Sequence, residues 1–290
     1  MTIEDVSKNL KVSWGTIKQI DKTHLEKHYS KPYLKNIRYL GIDEFAVQKG
    51  HKYKTVVMDM ETHRVVYVGE GRAEASLQFF CKRLKSSGAR IKAIAMDMWP
   101  AYISWVVNNF PHARIVFDRF HIVKKLNEAL SDIRKELYQL ETDLNKRSLL
   151  KGTRWLLLKN SGNLLAKRDE PEKLKEALKV NLPLATAYYL KEELRLLWSQ
   201  KSVTAAKKFL GSWIARAKSV GLSSLNKFTN TLLAHRSGIF SWFEDPISNG
   251  PLEGMNNKIK VLKRKAYGYR DMDYFNLKIL SLHTNRYALL

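Results

Sequence analysis

Three acidic residues stand where folding alone gives little reason for an acid. Asp43 lies inside "YLGIDEFAV", among residues that otherwise belong to a core, and burying its charge is costly unless something pairs with it. Asp97 closes the buried strand pattern of "AIAMDMWPAY", at the carboxyl end, where parallel strands open into binding sites. Glu253 is the lone carboxylate of "SNGPLEGMNNKIKVLKRK", whose other charges are Lys258, Lys260, Lys263, Arg264 and Lys265. Converging carboxylates repel in a low-dielectric setting, and divalent cations turn that repulsion into attraction. A two-ion site, with ions about 3.5–4 Å apart, activates an attacking water or hydroxyl and stabilises the leaving oxygen of a phosphodiester. Oxygen ligands favour Mg²⁺, with Mn²⁺ as a substitute, over zinc.

Taken singly, each acid has a more ordinary use. Asp43 could be a strand-edge aspartate bonded to backbone, Asp97 a cap for the following helix, and Glu253 a first-turn acid at the positive end of a helix. As a set of three they are far less expected by chance. Glu44 adjoins Asp43 but points to the opposite sheet face. Asp118 also follows a strand, in "ARIVFD", and competes with Asp97.

The elements that must position these acids can be read from periodicity. "IRYLGIDEFAV", "YKTVVMDME" and "HRVVYVGEG" predict three antiparallel strands, with a turn at 61–63. A helix over 74–86 ends at Gly88; then come strand "RIKAIAMD", helix "WPAYISWVVNNF", strand "ARIVFD" and a helix from Arg119. This order predicts an α/β, ribonuclease H-like (retroviral-integrase-type) mixed sheet, in which the strands bearing Asp43 and Asp97 are neighbours. From about Lys124 to Trp242 the chain reads as helical and basic, an insertion holding Trp155, Trp198, Trp213 and Trp242 as mostly core residues. At the start, Ile3, Val6 and Leu10, then Trp14, Ile17 and Ile20, predict two short helices with Ser13 capping the second. They are similar to the last two helices of a helix-turn-helix, or equally to a generic helical hairpin. The expected segments are 1–30, a partial helix-turn-helix; 31–123 and 246–290, the two parts of the sheet domain; and 124–245, the insertion.

Composition narrows the partner. Fifty-one Lys and Arg against 28 Asp and Glu give a net charge of +23, far from the balance of an ordinary metabolic enzyme and suited to a polyanion. The single cysteine, Cys81, excludes an internal disulfide framework and a cysteine-only zinc site. Neither a signal-peptide pattern nor a run approaching roughly 18 apolar residues occurs, so the expected location is the cytoplasm, with no membrane partner.

"YLGIDEFAVQKGHKY", "AIAMDMWPAY", "ARIVFDRFHIVKKLNEAL" and "SNGPLEGMNNKIKVLKRKAYGYRDMDYFNLKIL" together resemble the DDE domain of bacterial insertion-sequence transposases, specifically the ISL3 family. The resemblance runs from about Tyr39 onward. It implies Mg²⁺-dependent DNA cleavage and strand transfer, with Asp43, Asp97 and Glu253 as the catalytic, metal-holding triad. The family's Asp-x-x-His element falls on Asp118 and His121, which would support the site. Terminal inverted repeats and target DNA become the expected partners, a homodimer the expected assembly and the bacterial nucleoid the expected location. Complete members begin with a cysteine-rich zinc module and a whole helix-turn-helix, so the resemblance also implies an N-terminally incomplete member. Asn257, Lys260, Lys263, Arg264 and Arg270 are the expected DNA-binding residues, with phosphate contacts that position without reading sequence. Two other readings stay open: a nuclease of branched DNA on the same fold, and a non-catalytic DNA-binding remnant that represses its parent element.

Overall fold

The structure, a computed structural model, describes residues 2–48, 50 and 52–283; positions 284–290 of the expected last segment lie outside the described residues. The chain divides into two compact units, one of 1–118 with 247–290 and one of 119–246.

The first unit opens with α1 (Ile3–Leu10) and α2 (Trp14–Tyr29). Thr2 and Asp5 form a reciprocal capping box on α1, and Ser13 accepts from the Thr16 amide to cap α2. At 16 residues α2 is longer than expected, because Leu25 near its far end packs against Tyr274 and Leu277. Next come β1 (Tyr39–Gln48), β2 (Lys52–Asp59) and β3 (Arg64–Glu70), then α3 (Gln78–Ser86) behind a 3₁₀ turn at Glu74–Leu77. After these follow β4 (Ala93–Met96), α4 (Pro100–Asn109) and β5 (Arg114–Phe117). The sheet order is β3-β2-β1-β4-β5, with β1–β2 and β2–β3 antiparallel and β1–β4 and β4–β5 parallel. The mixed sheet expected from the element order is therefore present, with the strands of Asp43 and Asp97 adjacent.

The second unit carries α5 (Arg119–Leu140), α6 (Leu144–Gly152), α7 (Arg154–Leu158), α8 (Glu170–Lys179), α9 (Leu182–Leu194), α10 (Val203–Ser219), α11 (Ser223–Ala234) and α12 (Arg236–Ser241). Trp213 and Trp198 are buried there, and the Trp213 indole donates to the Leu190 carbonyl at 2.9 Å. Trp155, expected in the core, is exposed, with the Arg154 guanidinium over its ring. The chain then returns to the first unit as α13 (Gly250–Lys265) and α14 (Met272–Ser281).

Helices cover both faces of the sheet. On one, Tyr67 stacks on Phe80 of α3, which stacks on Trp105 of α4. On the other, Phe45, Val56 and Met58 pack against Leu252, Met255, Ile259 and Leu262 of α13 and Phe275 and Ile279 of α14. Each of these buried side chains contributes roughly 1.5–3 kcal/mol. Gly41 lets α13 come close: a Cβ there would lie 2.4 Å from Leu252 Cδ1 and 2.5 Å from Met60 Sδ. Thus α13 settles on β1 one pleat before Asp43.

Candidate active site and basic surface

Parallel pairing sets the acids side by side. Tyr39, Leu40 and Gly41 of β1 face Ala93, Ile94 and Ala95 of β4, and Ala93 to Met96 face Arg114 to Phe117 of β5. Carried one or two residues further, the same register aligns Asp43, Asp97 and Asp118 across three neighbouring strands and on one face. The Asp118 amide still donates to the Met96 carbonyl at 3.1 Å, which holds this level of the sheet together.

Asp43 is half-buried, and its cross-strand neighbour is the fully buried Val56. Its carboxyl is pushed up to about 7: burial is the largest cause, the Glu44 amide opposes it, and the carboxylates of Glu44, Asp97 and Asp118 add to the rise. Two donors reach it, Asn256 Nδ2 to Oδ2 at 2.7 Å and the Glu44 amide to Oδ1 at 2.8 Å. Among the described residues it has no cationic partner. A half-buried carboxyl that resists ionisation, beside two more carboxylates, is a fitting donor set for a hard divalent cation.

The expected triad is only partly gathered. Asp43 and Asp97 lie at one level of the sheet with the buried Asp118, near enough for the charges of both to act on Asp43. Glu253 is exposed in the first turn of α13, its amide donating to the Asn249 carbonyl at 2.8 Å. Three residues separate it from Asn256, which touches Asp43. Among the described residues no three His, Cys, Asp or Glu side chains stand close enough to hold a metal ion. Glu44, as expected from strand alternation, points to the face away from α13. His121 lies in the first turn of α5, in the second unit, with its ring edge-on to Phe120.

Asn256 is the site residue that the motifs did not single out. Leu252, Met255, Ile259 and Leu262 form the buried stripe of α13, and Asn256 falls on the same stripe. A polar residue in phase with an apolar stripe was the available signal. Glu253, Asn257, Lys260 and Arg264 instead share the solvent side, spaced by four, three and four residues. Lys263 has turned inward: its ammonium donates to the carbonyls of Ala46 at 3.2 Å and Val47 at 2.9 Å, clamping α13 to the end of β1. Arg270 is exposed, Tyr269 stacks on Phe275, and Tyr267 is fully exposed.

Known proteins resemble this chain along most of its length. The ISL3-type DDE model described as "Transposase" matches residues 40–279. The transposase for insertion sequence element IS1001 of Bordetella parapertussis is 39% identical over 280 residues, covering 96% of this chain and 68% of its own length. The transposase for IS1557 of Mycobacterium tuberculosis is 27% identical over 287 residues, covering 90% and 64%. The chain therefore spans about two thirds of the length of these curated relatives. Among solved structures, the Drosophila P element transposase strand transfer complex aligns with a TM-score of 0.45 at 10% identity, over 91% of this chain and 81% of that one. Among the described residues no helix is long and apolar enough to cross a membrane.

Proposed function

Because the chain belongs to the ISL3 family of DDE transposases, we propose that it cleaves DNA at insertion-sequence ends and joins the freed 3'-hydroxyls to target DNA. The observation that carries this reading is the shared register of Asp43 and Asp97, under a helix whose Asn256 holds Asp43. Asp43, Asp97 and Glu253 would be the catalytic carboxylates and would hold two Mg²⁺ ions. Those ions, when bound, supply activation of the attacking oxygen and stabilisation of the leaving one.

The chain's own residues do the rest. Asn256 and the Glu44 amide each hold one oxygen of Asp43 and so fix its rotamer. Asp118 raises the negative potential that draws in divalent cations. Glu253, exposed in the first turn of α13, would be the third carboxylate to hold the ions. Asn257, Lys260, Arg264 and Arg270 hold phosphates, through contacts that weaken with salt. The partners are terminal inverted repeats and target DNA, the working form is a homodimer on DNA, and the location is the bacterial nucleoid.

The test uses labelled duplexes carrying the inverted repeats that flank the gene, incubated with a plasmid target. Pre-cut ends should be joined to the plasmid in Mg²⁺ or Mn²⁺ and left unjoined in EDTA. Cutting without joining favours a nuclease; DNA binding with no metal-dependent product sinks the enzymatic reading.

Two lysines one turn apart should separate structure from contact. Lys263→Ala is expected to cost about 1–2 kcal/mol of stability, through the lost clamp on Ala46 and Val47. Lys260→Ala should leave the Tm unmoved and lower DNA affinity, with the slope of log affinity against log salt reduced by about one. Thermal melts and binding titrations over a salt series distinguish the two.

A further inference from the structure

The end of α13 departs from what folding alone would choose. Its C-terminus is closed by paired backbone bonds, the Tyr267 amide to the Arg264 carbonyl at 3.1 Å and the Gly268 amide to the Lys263 carbonyl at 2.9 Å. In this motif the residue that takes the left-handed conformation is normally glycine. Here it is Tyr267, at φ 51°, followed by Gly268 at φ 98°. A side chain at that position strains the backbone, and no burial offsets it, because the tyrosine is fully exposed.

Tyr267 lines a cleft of about 800 Å³ between α1, α2 and the α13–α14 turn. Trp14, about half exposed, lies along the same cleft, together with Lys18, Lys265 and Arg270. Lys18 is already balanced by Asp271 at 2.9 Å. Lys265 and Arg270 are exposed and, among the described residues, form no ion pair. The cleft thus combines aromatic faces with uncompensated positive charge, the two features that hold unstacked nucleotides. A protein partner of ordinary composition would use the aromatics and leave the cations unmatched. A fully paired duplex would use the cations and leave the rings idle.

We propose that this cleft binds an unpaired nucleotide of the DNA substrate, the Tyr267 ring stacking on its base while Lys265 and Arg270 hold the flanking phosphates. The inference rests on the DNA-joining function proposed above and adds a site remote from the carboxylates. It also accounts for the strain, since a glycine at 267 would relax the turn and forfeit the ring.

Binding of the 290-residue chain to a short labelled duplex with blunt ends, and to the same duplex with an unpaired thymidine tail, tests it. The unmodified chain should favour the tailed duplex by about tenfold. Tyr267→Gly should erase that preference while keeping or raising the Tm, and Tyr267→Phe should retain it. Arg270→Ala should weaken binding to the tailed duplex and flatten its salt dependence. Equal binding of blunt and tailed duplexes by the unmodified chain, or an intact preference in Tyr267→Gly, overturns this site and leaves the proposed function standing. Failure to bind either duplex overturns both.

Discussion

Asp97→Ala should abolish metal-dependent joining, with a rate loss beyond about 10³-fold. Removing a single transition-state donor commonly costs roughly 10²–10³, and Asp97 is proposed to hold the ions on which both the attacking and the leaving oxygen depend. Its position makes the effect specific. Asp97 lies just past the end of β4, level with Asp43 on β1 and Asp118 after β5, whereas Glu44, the half-buried carboxylate next to Asp43, points to the other face. Asp118→Asn should be milder, about 10- to 100-fold, the usual cost of altering a group that supports metal ligands. Glu44→Gln, across the sheet, should retain most of the activity. The measurement is the initial rate of joining pre-cut ends in Mg²⁺, alongside nonspecific DNA binding as a control for folding. Full activity in Asp97→Ala would remove it from the triad and return the role to Asp118.

Asp43→Asn should act in the opposite direction on stability. The Asp43 carboxyl is pushed up to about 7 in the folded chain, from an ordinary 3.8. Between about pH 4 and pH 7 the folded state therefore keeps a proton that the unfolded state has released, so stability falls as pH rises through that window. Above it the loss is complete, on the order of 4 kcal/mol for a shift of this size. Asparagine keeps the size of the side chain and an acceptor for Asn256, and it carries no charge to bury. The metal-free variant should thus be more stable than the parent at pH 8 by a few kcal/mol, and the gap should close near pH 4. Mg²⁺ should raise the Tm of the parent at pH 8 and leave that of Asp43→Asn nearly unchanged, because binding to the folded state alone stabilises it. Denaturant melts at the two pH values, with and without Mg²⁺, decide the matter; equal stabilities at pH 8 would mean that Asp43 is not a strained acid.

Much of this architecture is legible in the sequence because it rests on local pattern. β1, β4 and β5 announce themselves as apolar runs ending in or holding an acid, and the helices between them force the parallel pairing that puts Asp43 beside Asp97. The sheet order follows from the same alternation of strand and helix. What periodicity does not give is the rotational phase of α13. Spacing alone groups Glu253, Asn256, Asn257 and Lys260 on one side, yet the stripe of Leu252, Met255, Ile259 and Leu262 turns Asn256 inward and leaves the other three in solvent. Lys263 looks like one more cation in a basic run, and only its contact with Ala46 and Val47 marks it as a clamp. The same limit applies to Tyr267, which reads as an ordinary tyrosine before a helix-ending glycine until its left-handed backbone is seen. Long-range partners of this kind depend on how two surfaces meet, and no count of residues between them encodes that.

The bond between Asn256 and Asp43 spans 213 positions of chain. During synthesis at about 5–20 residues per second, that distance is roughly 10–40 s of waiting. Through this interval the aspartates exist without α13, and a chain released early by a damaged message never acquires it. The centre proposed above is complete only in polypeptides translated past the second unit, because a fragment that stops earlier lacks both Asn256 and Glu253.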